Sequence, residues 1–214
     1  MTTKVLNLYA GIGGNRKRWE DVDVTAVEIN ESVADCYRDH FPEDEVIVGD
    51  AHDYLREHYD EYDFIWSSPP CPTHSKLARI HANNDTKFAD TEVHYPDMRL
   101  YQEILLLQHF YDGDYVVENV ESYYDPLIEP QRVHRHYFWS NVYISDINLP
   151  PVGKMDTQER VRLEEEYGYD LSEYDFTVPK VKVISNCVHP KLGEHVFDAA
   201  TGERQTTAAD WVES

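Results

Sequence analysis

The stretch Lys4-Val-Leu-Asn-Leu-Tyr-Ala-Gly-Ile-Gly-Gly14, followed by Val22 to Glu28, decides the fold class. Residues 4–9 (KVLNLY) form a β-rich run that ends on AGIGG, and three of the chain's nine glycines fall between Gly11 and Gly14. Glycine there lets the backbone turn tightly and opens the N-terminus of whatever helix follows. The second run, Val22 to Glu28, ends on an acid. After Asn30 as an N-cap, Val33, Cys36, Tyr37 and Phe41 recur at helical spacing until Pro42. Strand, glycine turn, helix, strand, helix is a βαβ pattern.

The alternation continues outward from this start. Val46 to Val48 predicts a third strand closing on Gly49 and Asp50, His52 to Tyr59 a helix, and Tyr62 to Ser67 a fourth strand running into Ser68-Pro-Pro-Cys71. Residues 72–97 lack periodicity and read as a long functional loop. Met98 to Phe110 predicts a helix, Tyr115 to Val117 a fifth strand followed by Glu118-Asn-Val120, and His136 to Ser145 a final pair of strands. Such a chain is α/β, a mostly parallel sheet with helices on both faces, with ligands at the carboxyl ends of the strands. From Asn148 to Lys180 the texture changes to Pro150-Pro151, an acidic helix-like stretch around Thr157 to Tyr167, and Pro179. The closing helix carries Val188, Leu192 and Val196, with Pro190 tolerable in its first turn. The organisation expected is a core over residues 1–145, an insertion over 146–185, and a C-terminal helix and tail over 186–214.

Composition bounds the function. With 214 residues, 41% hydrophobic and 13% aromatic, the chain is too apolar for a disordered acidic tail and long enough for one α/β domain. Its longest apolar run, Ile104 to Leu107, is far too short to span a bilayer, and residues 1–30 lack a signal-peptide core, so a soluble cytoplasmic protein is expected. Three cysteines without a CxxC or Cys/His cadence predict neither a disulfide framework nor a metal site. A net charge of -22, with 41 acids against 19 Lys and Arg, argues against a polyanionic partner. The same acidity suits a protein working in molar salt, where the Debye length falls to roughly 3 Å and net charge repels little.

The polar oddities gather on one rim. Gly11 to Gly14, Glu28, Asp50, Cys71 and Glu118 all fall at or just past predicted strand ends. A strand-end acid such as Glu28 can accept hydrogen bonds from ribose hydroxyls. Asp50 could read an amino group, although a lone Asp at that point is more often a helix cap. Pro69-Pro70 stiffens the backbone before Cys71, and a thiol at a strand end can become a nucleophile, whereas most single cysteines are small buried hydrophobes. Context favours the nucleophile. Residues 64–84 contain no acid where about four would be expected, and carry His74, Lys76, Arg79 and His81. A second acid-free window, 130–141, carries Arg132, His134, Arg135 and His136. Glu118 in a partly apolar pocket could serve as a general acid, although by itself a solvated Glu is commoner.

In order and content these motifs resemble the DNA cytosine-5 methyltransferase family, which uses S-adenosylmethionine. The residues that carry the resemblance are Tyr9-Ala10-Gly11-Ile12-Gly13-Gly14, Glu28, Gly49-Asp50, Pro69-Pro70-Cys71 with Ser75, Glu118-Asn119-Val120, Gln131 with Arg135, and Asn186 to Pro190, spanning residues 4 to about 198. The resemblance implies a Rossmann-like class I S-adenosylmethionine-dependent methyltransferase fold. It implies that the glycine turn, Pro70 and Asn186 line the cofactor pocket, Glu28 holds the ribose and Asp50 the adenine. Cys71 would attack C6 of a cytosine flipped out of duplex DNA, Glu118 protonate N3 and Arg135 contact O2. Ser75, Lys76, Arg79, Asn119 and Gln131 would serve the substrate side, under a closing loop from Pro72 to Asp97.

Three departures stand out. Pro72 replaces a common Gln, and Val133 stands where an Arg is usual, removing one supporting ion pair. Only 44 residues, 142–185, lie where the family carries a large target-recognition domain. Recognition must then be minimal, made by loops, or supplied by a separate specificity partner or restriction enzyme of a cellular or viral restriction-modification system. RNA as the substrate, or a module that binds without catalysing, remain alternative readings.

Overall fold

The computed structural model describes residues 2–75 and 95–202. Seven strands, β1 (Thr3–Leu8), β2 (Val22–Glu28), β3 (Glu45–Val48), β4 (Phe64–Ser67), β5 (Asp114–Val120), β6 (Gln131–Val133) and β7 (His136–Ser140), form one sheet of order β3-β2-β1-β4-β5-β7-β6. The first five are parallel, and β7 runs antiparallel between β5 and β6. The helices are α1 (Glu31–His40), α2 (Ala51–His58), α3 (Arg99–Phe110), α4 (Thr157–Tyr167), α5 (Lys180–Ser185) and α6 (Pro190–Thr201).

Side-chain alternation along the strands separates two cores. Val5, Val24, Phe64, Trp66, Val116 and Phe138 face Trp19 and the α6 residues Leu192, Val196 and Phe197. Their neighbours Leu6, Leu8, Val27, Ile65 and Val117 face Leu55 of α2 and Leu100, Ile104 and Leu107 of α3. Helices on both faces of a mostly parallel sheet are the α/β architecture expected from the alternation.

Local chemistry sets the helix ends. Asn30 caps α1 by accepting from Val33 N, and Asp50 caps α2 by accepting from His52 N and Asp53 N. Asp156 caps α4, which stops at Gly168 in the left-handed conformation (φ 73°). Pro190 opens α6, where its missing N–H costs nothing.

Three sequence expectations are corrected. Between β1 and β2 the glycine turn leads into the single 3-10 turn Arg16–Arg18, not into an α-helix. The fifth strand does not end at Val117: Glu118, Asn119 and Val120 pair with Phe138, Tyr137 and His136, so the antiparallel partner carries β5 past the end of β4. The last strand pair is not contained in 136–145. It is the β6–β7 hairpin, turning at His134 (φ 53°) and Arg135 and ending at Ser140. Beyond Ser140, the Gln131 amide donates to Val142 O (2.7 Å) and accepts from Ile144 N (2.9 Å), which leads the chain out of the sheet.

The insertion folds back on the core instead of reaching away from it. Leu163 and Tyr167 of α4, Tyr169, Leu171, and Val183 and Ile184 of α5 pack on Ile12 of the glycine turn and on Val33 and Cys36 of α1. Tyr169 donates to Ile12 O (2.9 Å), and Thr177 N donates to Ser32 Oγ (3.1 Å).

Candidate active site

The carboxyl ends of β1, β2, β4 and β5 bring the first group of candidate residues together. Tyr9 leaves β1 with a left-handed backbone (φ 56°) and Gly11 follows at the same φ, with open space where a Cβ would stand. Gly11 N donates to Glu28 Oε2 (3.0 Å) and Asn30 N to Glu28 Oε1 (2.9 Å), so the acid ending β2 is stitched to the turn leaving β1. Burial pushes the Glu28 carboxyl up, opposed by these N–H donors. Ala10 is buried and its N–H bonds to Val27 O (3.0 Å). Gly14 has no room for a side chain: a Cβ would lie 2.1 Å from Cys187 Sγ and 2.4 Å from Val188 O. The Asn186–Pro190 segment therefore returns to the glycine turn, with Asn186 itself exposed and capping α5.

Beneath this turn lies a group that the sequence reading missed. Glu103 of α3 is fully buried and accepts from Tyr9 OH (2.6 Å) and Ser67 Oγ (2.6 Å), with His52 Nδ1 3.0 Å away. It ties the ends of β1 and β4 to α2. The signal was an acid within the apolar face of the helix Met98 to Phe110. Ile29, directly after Glu28, is also exposed (69%), an apolar surface beside a half-buried carboxyl.

Asp50 has the role a lone strand-end Asp most often has. Besides capping α2, its Oδ2 takes Arg99 Nη1 at 3.0 Å. Against a burial contribution in the other direction, these N–H donors and the guanidinium hold its carboxyl below the usual range.

The second group surrounds Cys71. Pro69 is buried and Pro70 exposed, and Cys71 is half-buried at the start of a turn in which His74 N and Ser75 N donate to its carbonyl (2.9 and 3.1 Å). Asn119 Nδ2 donates to Pro69 O (3.0 Å), fixing the loop after β4 to β5. Glu118 is buried next to it, and His136 Nδ1 lies 2.5 Å from Glu118 Oε1. Burial, and then the Glu118 charge, push the Cys71 thiol up, and Lys182 acts weakly in the other direction. Cys71 is thus a thiol at rest. His136 was visible in the second acid-free window, but only the hairpin register shows that it meets Glu118.

Other candidates fall elsewhere. Arg135 is exposed at the hairpin turn, one residue from His136. Gln131 commits both ends of its amide to the main chain, so it shapes the hairpin instead of facing a substrate. Ser75 bridges to Ser122, and Asp97 N donates to Thr73 Oγ1 (3.0 Å), which joins the two ends of the long segment. Lys76, Arg79 and His81 lie outside the described residues. Among the described residues no group of His, Cys, Asp and Glu could hold a metal, and no helix is long and apolar enough to cross a membrane.

A seven-stranded sheet with one antiparallel strand at the sixth place, a glycine turn after β1 and an acid ending β2 define the Rossmann-like fold of class I S-adenosylmethionine-dependent methyltransferases. Residues 3–92 match the family model C-5 cytosine-specific DNA methylase, which bears out the resemblance in the motifs. Solved structures similar to the chain include a protein from Pyrococcus horikoshii (22% identity, TM-score 0.37, 56% of this chain and 50% of that one). Another is a TehB-like SAM-dependent methyltransferase from Corynebacterium glutamicum (17%, TM-score 0.35, 56% and 55%). A third is a DNMT2 variant from Spodoptera frugiperda (25%, TM-score 0.36, 55% and 35%). The matched part thus spans about half the length of the first two and about a third of the last. No curated protein matches the chain in sequence.

Proposed function

We propose that this protein transfers a methyl group from S-adenosylmethionine to C5 of a cytosine in DNA, through a covalent bond between Cys71 and C6 of a base flipped out of the duplex. The observation that carries the reading is that Asn119, next to the buried Glu118 on β5, donates to Pro69 O and so ties the Pro69-Pro70-Cys71 loop to the strand that carries Glu118. A nucleophile and an acid brought to neighbouring strand ends in this way suit addition across a pyrimidine double bond.

The cofactor edge fits its group. The turn at Gly11 leaves open space, Glu28 keeps lone pairs for ribose hydroxyls, and Ile29 offers an apolar face to a purine. S-adenosylmethionine supplies the electrophilic methyl group. Asp50, already bonded to its helix and to Arg99, reaches the adenine only with the oxygen that Arg99 shares. On the substrate side, Cys71 gives its proton to solvent and its thiolate forms the bond to C6 while Glu118 gives a proton to N3, the C5–C6 electron pair moving into the ring so that C5 becomes nucleophilic. Arg135, in the hairpin turn, meets charge building on O2. Removal of the C5 proton by a base then expels Cys71.

Residues 1–145 serve as the catalytic core, and the Asn186–Pro190 segment with α6 completes the cofactor pocket. Residues 146–185 fold back on the glycine turn and α1 instead of forming a separate recognition domain, so target choice falls to loops or to a separate specificity partner. The test is transfer of labelled methyl groups to duplex DNA or RNA in molar KCl, followed by mapping of the modified cytosines. Cys71→Ala should abolish transfer to DNA and leave cofactor binding nearly intact. Label on RNA alone would overturn the DNA substrate, and turnover by Cys71→Ala would overturn the covalent step.

A further inference from the structure

Glu118 does not stand alone. It lies within β5, and the antiparallel register sets His136 opposite Val120, two residues further along the same face. Diagonal neighbours of this kind are within reach of long side chains. The contact between His136 Nδ1 and Glu118 Oε1 is 2.5 Å, with the two side chains only 12% and 9% exposed. That contact is a hydrogen bond between two side chains largely withdrawn from water. Val133, the register partner of His136 on β6, is apolar and buried, so nothing on that strand's position competes for the imidazole. The His136 ring lies 6.2 Å from the Phe138 ring, tilted by 39°.

We infer that His136 is the positioning residue of Glu118: its Nδ1–H holds Oε1, fixing the carboxyl in one orientation and leaving the other oxygen to carry the proton that the base receives. The inference rests on the proposed role of Glu118 as the acid at N3. With the base bound and Glu118 carrying the proton it will donate, that Oε2 proton and the Nδ1–H belong to different atoms of one pair. As the Cys71 sulfur–C6 bond forms, the ring's electron pair moves to N3 and takes the Oε2 proton, and Glu118 becomes a carboxylate. The charge that appears is met by an Nδ1–H already in place, without any solvent reorganisation. When the Cys71–C6 bond breaks, the N3 proton returns to Oε2 and the pair ends as it began.

Because the hydrogen bond strengthens as Glu118 acquires charge, it contributes more in the transition state than in the ground state. Its loss should therefore appear in kcat and hardly in KM. An imidazole that only filled space would show the opposite pattern, a loss of stability without a selective loss of turnover.

The test compares the full chain with His136→Ala and His136→Asn in molar KCl, using methyl transfer to cytosine-containing DNA. His136→Ala should lower kcat by about 10- to 100-fold with KM and cofactor affinity within about twofold. His136→Asn, whose amide can still donate to the carboxyl, should recover a large part of that loss. Wild-type kcat in His136→Ala, or equal defects in the Asn and Ala variants, would overturn the inference. A readout independent of activity is the imidazole Nδ1 proton in the NMR spectrum of the resting protein. It should lie far downfield and vanish in Glu118→Gln, and an ordinary resonance unaffected by that substitution would overturn the pairing whether or not the variants fold. If the wild type transfers nothing while the downfield proton is present, the assignment of Glu118 as the acid fails and the pairing stands. If the wild type transfers and His136→Ala matches it, only the role of His136 fails.

Discussion

Replacing Glu103 by alanine tests the support beneath the glycine turn. The side chain is fully buried and receives hydrogen bonds from Tyr9 OH and Ser67 Oγ, both 2.6 Å, with His52 Nδ1 at 3.0 Å. Ser67 and His52 are themselves buried, so truncation leaves two groups unsatisfied inside the protein, at about 1–3 kcal/mol each. Tyr9 is half-buried and can turn to water, so it adds little. The expected loss is about 4 kcal/mol, a large part of a domain's net stability of about 5–15 kcal/mol. Glu103→Gln keeps the shape and most of the bonds but replaces one acceptor by a donor, and should cost about 1–2 kcal/mol. Urea unfolding at fixed KCl, with both variants compared at the same m-value, measures these differences. A loss under 1 kcal/mol for Glu103→Ala would refute the view that Glu103 holds the ends of β1 and β4 together. Equal losses in Ala and Gln would refute the hydrogen-bond accounting.

Three further outcomes follow from the same structure. Gly14→Ala puts a methyl 2.1 Å from Cys187 Sγ and 2.4 Å from Val188 O, and should cost about 1–3 kcal/mol, with partial recovery in the Gly14→Ala/Cys187→Ala double variant; simple additivity in urea unfolding would contradict this packing. Since burial and the Glu118 charge raise the Cys71 thiol, iodoacetamide should label it slowly at neutral pH and faster as pH rises, and Glu118→Gln should speed labelling at a given pH; an unchanged rate, read at Cys71 by peptide mass, would contradict the electrostatic coupling. The net charge of -22 predicts a urea midpoint that climbs with KCl into the molar range, and full stability in dilute buffer would undo the reading of the composition as adaptation to salt.

Much of the architecture is legible in the sequence. Val22 to Glu28 and the helix Thr157 to Tyr167 fall where the pattern put them, and Asn30 caps its helix, because these features depend on side-chain period and on donors a few residues away. Strand ends moved where a partner distant in sequence decides them, as with β5, which β7 extends through Glu118. The final strand pair was displaced because the His134–Arg135 turn lies between two short runs whose pairing is not a local property.

The candidate site divides along the same line. From sequence come the residue types and their order: a glycine turn, strand-end acids, and Pro-Pro-Cys followed far downstream by Glu-Asn-Val. Those follow from chemistry that only a few side chains can perform, placed where parallel strands end. Tertiary structure alone decided which of them meet. Asp50 proved to be capped into its helix and paired with Arg99, Gln131 was drawn into the hairpin, Glu103 was found under the turn, and His136 came to Glu118. Contacts across 18, 36 or 94 residues are set by strand order and register, which arise from the packing of the whole sheet and leave no mark in the spacing of the residues they join.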